Sequence, residues 1–293
     1  MIARRAALGL GLGGLVAACS GRLATASPPP FAALESRVGG RLGVTALDTG
    51  NGRSIGWRQD ERFAQCSSFK LSLAALVLDG ARHGRWQLDE RLHWRREDLL
   101  SNSPRTTANL DAGMTLGELA RATLVTSDNT AANVLLRRLG GPPAMTAFWR
   151  ALGDDTSRLD RYEPELNRVP PGSQLDTTTP AAMVRTLALL TTGDVLVPED
   201  RALLLAWMME VETGLRRLRA GFPRAWIAGD KTGTGLTPDG ATYIDLAFGG
   251  PPGTAPLVIA AYYEPAVSGD AVDPAAEAVL AECARIAVAS FAV

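Results

Sequence analysis

The sequence predicts an α/β (α+β) fold in which a helical lobe is inserted into the chain of a single sheet. β-like runs lie towards both ends of the chain, at 41–58 and 225–265. Helical periodicity dominates from about residue 68 to about residue 212. Because an isolated hairpin is only marginally stable, we expect the two terminal parts to join in one sheet. The cleft between the sheet and the helical lobe is then the expected ligand site.

The elements follow in order along the chain. The segment "RLGVTALDTGNGRSIGWR" places two β-like runs around "DTGNG", which predicts a hairpin. A helix is predicted from Ser68 to about Arg82, and a closing helix from about Asp273 to Ala292. Further helical segments are "TLGELARATLVTS", "NTAANVLLRRLG", "PAMTAFWRALG", "PAAMVRTLALLTTG" and "PEDRALLLAWMMEV". The late β-like runs are "AWIAGDKTGTG", "ATYIDLAFGG" and "PLVIAAYYEP".

One stretch interrupts the helical region. "RYEPELNRVPPGSQLDTTTP" is rich in proline and has little periodicity, which predicts a long functional loop at 161–179. The resulting division is an export signal at 1–26, an α/β lobe made of 27–60 and 213–293, and an all-helical lobe at 61–212 that includes the loop.

Composition excludes several classes of function. Apolar residues make up 46% and charged residues 21% of the 293 residues, which is typical of a soluble globular enzyme. The net charge of -1 gives no support for binding nucleic acid or an anionic membrane surface. No segment after the N-terminal region has about 18 uninterrupted apolar residues, so we expect the mature protein not to cross a membrane.

The N-terminus, "MIARRAALGLGLGGLVAACSG", has the pattern of an export signal. Arg4 and Arg5 precede a short apolar stretch and fit twin-arginine export. Two processing sites remain open. "VAAC" resembles a lipoprotein cleavage box, which would make Cys19 a lipidated N-terminus, and "ATA" offers simple cleavage before Ser27.

Cysteines and histidines are too few for a metal site or a disulfide framework. Beyond the signal, only Cys66 and Cys283 remain, and no CxxC pair occurs. The two histidines, His83 and His93, flank a polar turn and lack a third ligand. We therefore expect no metal and no cofactor, and a Ser-His-Asp triad is disfavoured.

Lysine is rare in this chain. Among its 30 lysines and arginines, only Lys70 and Lys231 are lysines. In "SSFKLS", Ser67 and Lys70 are three positions apart, so their side chains are neighbours on a helix. A serine nucleophile needs a neighbouring base, which a deprotonated lysine can be and an arginine cannot. Taken alone the pattern is weak, since SxxK should occur by chance about once in a chain of this length.

Three further motifs accompany this pair. They are "SDN" (Ser127, Asp128 and Asn129), "EPELN" at 163–167 and "KTG" at 231–233. Each has an ordinary explanation, respectively a helix N-cap, a solvated acidic loop and a strand that ends in a glycine turn. All four in this order and at these separations are not plausibly a coincidence.

Together these motifs resemble those of the class A serine β-lactamases, over essentially the whole mature chain. The resemblance implies a five-stranded antiparallel sheet flanked by helices, an inserted all-helical lobe and an active site between them. It also implies an Arg161–Asp176 ion pair that closes the loop and a cis peptide bond before Pro164.

The resemblance further assigns the chemistry. It makes Ser67 the nucleophile and Ser127 the relay that passes a proton to the leaving nitrogen. Glu163 would be the deacylation base, with Asn167 helping to hold the hydrolytic water. The base for acylation, Lys70 or Glu163 through water, stays open.

Substrate binding is implied in the same way. Lys231 would bond to Ser127 and supply positive potential, and the backbone N–H groups of Ser67 and Thr234 would form the oxyanion hole. Asn129 would bind the acylamide side chain and orient Lys70. The remaining residues implied in binding are Thr232, Gly233, Thr234 and Arg217.

The chain departs from many relatives at three places. Asn102 stands where an aromatic side chain often lines the mouth of the site. Gly235 stands where a carbapenem-hydrolysing subset has a cysteine bridged to the position of Cys66, so that bridge is absent. The loop "TGLTPDGATY" also looks a few residues longer than usual, at the sheet edge that faces substrate.

The sequence therefore predicts a periplasmic, monomeric β-lactamase that acts on small-molecule β-lactams. One alternative is a penicillin-binding DD-peptidase, which would share the other motifs but lack Glu163 in this loop. The other is a non-catalytic, lipid-anchored binding protein on the same fold, which would be expected to have lost a catalytic group.

Overall fold

The computed structural model describes residues 29–238 and 240–292. The predicted export signal, with Arg4, Arg5, Cys19 and the alternative processing site before Ser27, lies outside these residues. Among the described helices, none combines the length and the hydropathy that a membrane-spanning segment needs.

Helices and strands lie where the sequence predicts them, within a few residues. The helices are α1 (Pro30–Val38), α2 (Phe69–Arg82), α3 (Pro104–Ala108), α4 (Leu116–Val125), α5 (Asn129–Leu139), α6 (Pro142–Ala151), α7 (Pro180–Thr192), α8 (Pro198–Met209), α9 (Leu218–Gly221) and α10 (Pro274–Phe291). The strands are β1 (Arg41–Asp48), β2 (Ser54–Trp57), β3 (Phe63–Ala64), β4 (Arg91–Leu92), β5 (Met114–Thr115), β6 (Thr177–Thr178), β7 (Ile227–Thr237), β8 (Gly240–Gly250) and β9 (Leu257–Glu264). The sequence analysis missed α1, α3, α9 and the two-residue strands, which are too short to show a clear period.

A five-stranded antiparallel sheet in the order β2-β1-β9-β8-β7 confirms the predicted fold class. β1 pairs with β9 along its whole length, from Arg41 opposite Glu264 to Asp48 opposite Leu257. This pairing joins segments from near the two ends of the chain, so the helical segment between them leaves the sheet and returns to it.

The sheet is covered on both faces. One face packs against α1 and α10 through side chains such as Phe31, Leu34 and Leu280. The opposite face, with Leu246 and Tyr262, joins the core of the helical lobe. At the centre of that lobe lies α2, which is buried almost all round. α7 packs on β1 and β9, although its residues fall within the predicted helical lobe. The division of the chain into two lobes stays a prediction.

The segment "TGLTPDGATY", predicted as a loop, is for the most part paired strand, and its length relative to other proteins stays a prediction. The strands stay paired up to Thr237 opposite Gly240, so this segment extends the hairpin. Consequently Lys231, Thr232 and Gly233 lie in the middle of β7 and not at its end. Backbone pairing on β8 therefore holds this segment rigidly at the lobe interface.

Candidate active site

Ser67 lies at the junction between the sheet and the helical lobe, in a single 3-10 turn at Cys66–Ser68 that leads into α2. The preceding residue, Cys66, has a φ of 40°, a conformation that non-glycine residues seldom adopt. Lys70 lies in the first turn of α2, and its Nζ donates a hydrogen bond of 2.9 Å to Ser67 Oγ. The predicted Ser–Lys neighbourhood is therefore present.

Lys70 is fully buried and is the centre of a polar cluster. Its Nζ lies 3.0 Å from Glu163 Oε1, and neither side chain is exposed. It also donates to the carbonyl of Ser127 at 3.0 Å and to Asn129 Oδ1. Glu163 balances the buried ammonium charge, which would otherwise be very costly away from water.

Ser67 Oγ also lies 3.2 Å from Glu163 Oε1, within hydrogen-bonding distance. The serine hydroxyl thus lies between the two groups that could remove its proton: Glu163, and Lys70 once its ammonium has passed a proton to Glu163. Both candidates for the acylation base meet the geometric requirement for proton transfer.

Glu163 is held in place by two asparagines. Asn133 Nδ2 donates to the Glu163 carbonyl at 2.8 Å, and the Glu163 N–H donates to Asn133 Oδ1 at 3.0 Å. Asn167 Nδ2 donates to Glu163 Oε2 at 2.6 Å, while Asn167 Oδ1 is buried without a partner among the described residues. The Glu163–Pro164 bond is cis, and Arg161 pairs with Asp176 at 2.6 Å, as the resemblance implies.

The "SDN" segment approaches the same point from the helical lobe. Asp128 caps α5 by accepting from Ala131 N, and it also binds backbone N–H groups of α3, which fixes the segment between the two helices. Ser127 has a φ of 55° and is almost buried. Its Oγ accepts from Lys231 Nζ at 3.1 Å and lies 3.5 Å from Lys70 Nζ.

The β7 segment brings in the second lysine. Lys231 is fully buried, and burial, followed by the positive charge of Lys70, lowers the pKa of Lys231 to about 7. Next to it, Thr232 Oγ1 and Thr213 Oγ1 are 2.6 Å apart. A Cβ at Gly233 would lie 3.2 Å from the Ser68 nitrogen, so glycine lets β7 pack closely on the turn that carries Ser67.

Arg217 reaches the site from the segment before α9, although it is almost completely buried. Its Nη2 donates to Thr234 Oγ1 at 2.7 Å, and its Nη1 donates to the Gly233 carbonyl at 2.8 Å. Its charge is balanced by Glu277 on α10 at 3.1 Å. The predicted arginine thus contacts β7 through Thr234.

Two buried acids lie behind this part of β7. Asp230 accepts a hydrogen bond from Arg219, and Asp245 accepts from the N–H of Leu218 at 2.9 Å. Burial, followed by the neighbouring Asp230 carboxyl, raises the pKa of Asp245 well above its usual value. Burial also raises the pKa of Asp230, and the Arg219 guanidinium beside it acts in the opposite direction.

A cleft of about 760 Å³ reaches the site at Asn167, and Ser67, Lys70 and Lys231 do not line it. Asn167 and Gly235 lie on its wall, and it continues between the 169–174 segment and the end of the sheet. A Cβ at Gly235 would lie only 2.9 Å from Cys66 Sγ, so the glycine gives the wall its shape. Cys66 and Cys283 are both buried free thiols.

Sequence reasoning missed two residues that hold this site together, Asn133 and Glu277. Each is a buried polar residue on an otherwise apolar helical face, and that signal could have identified them. Within 29–238 and 240–292, no group of three or more His, Cys, Asp and Glu side chains is placed to bind a metal ion.

Comparisons with known proteins agree with this geometry. The sequence profile described as "Beta-lactamase enzyme family" matches residues 30–291. The chain is 50% identical over 228 residues to beta-lactamase L2 of Stenotrophomonas maltophilia, which covers 75% of each chain. It is 43% identical over 265 residues to the carbapenem-hydrolyzing beta-lactamase KPC of Klebsiella oxytoca, covering 90% of this chain and 88% of that one.

Solved structures give the same result. The reconstructed class A beta-lactamase of the last common ancestor of Gram-negative bacteria superposes with a TM-score of 0.84 at 50% identity, covering 89% of this chain and 97% of that one. A beta lactamase from Burkholderia vietnamiensis superposes with a TM-score of 0.82 at 47% identity, covering 90% of this chain and 95% of that one.

Proposed function

This chain belongs to the class A serine β-lactamases, and from that premise we propose how it hydrolyses the β-lactam amide of penicillins and cephalosporins. The observation that carries the proposal is the position of Ser67 Oγ, 2.9 Å from Lys70 Nζ and 3.2 Å from Glu163 Oε1. A serine hydroxyl so placed can lose its proton as it attacks a carbonyl carbon.

Acylation uses the groups on both sides of Ser67. Its Oγ attacks the lactam carbonyl while Lys70, or Glu163 through water, takes the proton. The backbone N–H groups of Ser67 and Thr234 stabilise the oxyanion. Ser127, hydrogen-bonded to Lys231 at 3.1 Å, then donates its proton to the lactam nitrogen as the C–N bond breaks, and it takes a proton in turn from Lys70, whose Nζ lies 3.5 Å from Ser127 Oγ.

Deacylation uses Glu163 as the base. The buried, unpartnered Oδ1 of Asn167 is a hydrogen-bond acceptor beside the Glu163 carboxylate, which suits a water molecule held between the two side chains. Glu163 takes a proton from that water as it attacks the ester carbonyl, and Ser67 is released as a hydroxyl.

Substrate binding uses the β7 side of the site. Lys231 supplies a positive charge for the substrate carboxylate, with Arg217 acting through the hydroxyl of Thr234. Asn129 binds the acylamide of the substrate, whose side chain extends into the cleft beside Gly235. The remaining residues proposed to bind the substrate, beside its carboxylate, are Thr232 and Gly233.

The N-terminal sequence supports export to the periplasm, where such an enzyme would meet its substrates and protect the cell from β-lactam antibiotics. The proposal includes export with either of the two processing alternatives, lipidation of Cys19 or cleavage before Ser27. The mature enzyme acts as a monomer, since one chain supplies every group invoked above.

The test is the variant Glu163→Ala. We expect it to react with benzylpenicillin and to stall as the acyl-enzyme, because attack by Ser67 can proceed through Lys70 while ester hydrolysis loses its base. Mass spectrometry should show one added antibiotic on the peptide that contains Ser67, persisting for minutes or longer, and the wild type should show none at steady state.

The matched control is Glu165→Ala, which removes an exposed carboxylate two residues away in the same turn and should behave as the wild type. A long-lived adduct on the wild type itself would identify a penicillin-binding peptidase. Absence of labelling in every variant would favour the non-catalytic binding protein.

A further inference from the structure

Asn102 is an exposed residue on the segment before α3, yet its side chain is turned onto the "SDN" segment. Its Nδ2 donates to the Ser127 carbonyl at 3.0 Å and to the Thr126 carbonyl at 3.3 Å. Its own carbonyl accepts from the Asn129 N–H at 3.0 Å. The neighbouring Ser101 carbonyl accepts from Asn129 Nδ2 at 2.9 Å. The 101–102 segment thus clamps both outer residues of the motif.

The carbonyl that Asn102 holds is also used by the catalytic lysine. Lys70 Nζ donates to the same Ser127 oxygen at 3.0 Å. A carbonyl oxygen has two lone pairs, so the Asn102 amide and the Lys70 ammonium occupy both. Any rotation of the Ser127 peptide plane would therefore move a hydrogen-bond partner of Lys70.

The Ser127 backbone needs such support. With a φ of 55°, it adopts a left-handed conformation that is unfavourable for a residue other than glycine and persists only where its surroundings enforce it. This conformation directs Ser127 Oγ towards Lys231. Asn102 itself has a φ of 52°, which asparagine tolerates better than most residues.

We propose that Asn102 is a positioning residue for acylation. It fixes the Ser127 peptide so that the Ser127 carbonyl binds Lys70 and the Ser127 hydroxyl faces the leaving nitrogen. The inference rests on the proposed function. It predicts a defect confined to acylation, because Glu163, the deacylation base, is held by Asn133 and Asn167 and not by the 101–102 segment.

The test compares Asn102→Gly with the wild type. Glycine accepts the positive φ and removes an exposed side chain together with the hydrogen bonds of its amide, so the fold should be retained. We expect kcat/KM for benzylpenicillin, which reports acylation, to fall by about fivefold to tenfold, the typical effect of losing one hydrogen bond, here the one to the Ser127 carbonyl. In the Glu163→Ala background, where the acyl-enzyme accumulates, Asn102→Gly should slow formation of the adduct by the same factor, while the rate at which the isolated adduct is lost should stay within about twofold, both followed by mass spectrometry.

Asn102→Asp provides a second measurement. Aspartate keeps the shape and the tolerance of positive φ, but it places a carboxylate oxygen against the Ser127 carbonyl, so kcat/KM should fall further than in the glycine variant. The matched control is Asn109→Ala, which removes a comparable amide-to-carbonyl bond of 2.8 Å to Arg105 in the same lobe and should leave kcat/KM unchanged.

The outcomes separate the two levels of the argument. Failure of the wild type to hydrolyse benzylpenicillin would overturn the proposed function. If the wild type is active, kcat/KM within twofold of it in both Asn102 variants would overturn the positioning role. A parallel loss of acylation, deacylation and folded enzyme would reduce Asn102 to an ordinary loop contact and would equally overturn it.

Discussion

Replacing Asn133 by alanine should destabilise the protein and disable deacylation together. Asn133 and Glu163 are only 5% and 2% exposed, and two hydrogen bonds of 2.8 Å and 3.0 Å join the Asn133 amide to the Glu163 backbone. Alanine would leave one N–H and one carbonyl buried without partners. At about 1–3 kcal/mol for each unsatisfied group, we expect a loss of about 2–6 kcal/mol in the free energy of unfolding.

Such a loss is a large share of the total stability of a typical domain, about 5–15 kcal/mol. Urea denaturation measures it, and mass spectrometry with benzylpenicillin measures the acyl-enzyme. We expect the adduct on Ser67 to accumulate in Asn133→Ala, because Glu163 is no longer held beside the ester.

The matched control lies on the same helix. Leu135 is fully buried, and Leu135→Ala should cost a comparable ~2–5 kcal/mol by leaving a cavity while Glu163 stays held. Folded Leu135→Ala should therefore turn over without a long-lived adduct. The reasoning from the two hydrogen bonds of Asn133 is refuted if Asn133→Ala also hydrolyses benzylpenicillin without a long-lived adduct. It is equally refuted if this variant unfolds at the same urea concentration as the wild type.

Two further predictions concern β7. Because the pKa of Lys231 is lowered to about 7, its ammonium is lost as pH rises through that value, so kcat/KM for benzylpenicillin should decline on the alkaline side. Lys231→Arg should have a lower kcat/KM at pH 6.5 but should show no such decline up to pH 9, since arginine stays protonated. If the variant declines with pH as the wild type does, Lys231 is not the group whose titration causes the decline. Gly235→Cys should form a disulfide with Cys66, because a Cβ there would lie 2.9 Å from Cys66 Sγ, close to the ~3 Å expected across a disulfide. The mass of the variant should be two hydrogens lower than that of the reduced protein. The prediction is contradicted if both cysteines can be alkylated after unfolding under non-reducing conditions.

The sequence by itself determined the parts of this protein that depend on short-range spacing. Period-two and helical patterns located the long strands and helices, and the three-residue interval in "SSFKLS" placed Ser67 beside Lys70 on one turn. The rarity of lysine drew attention to Lys70 and Lys231, and the accompanying motifs identified the family. These inferences succeed because local backbone geometry fixes which side chains are neighbours within a few residues.

Only the tertiary structure decided which distant groups meet. The Lys70–Glu163 ion pair, the clamp of Asn102 on Ser127 and the support of Glu163 by Asn133 each join segments separated by many residues. No local pattern encodes such contacts. They form because pairing of β1 with β9 closes the sheet and packing around α2 brings the loops to one point, and burial then favours arrangements in which most of the charges and polar groups there have partners.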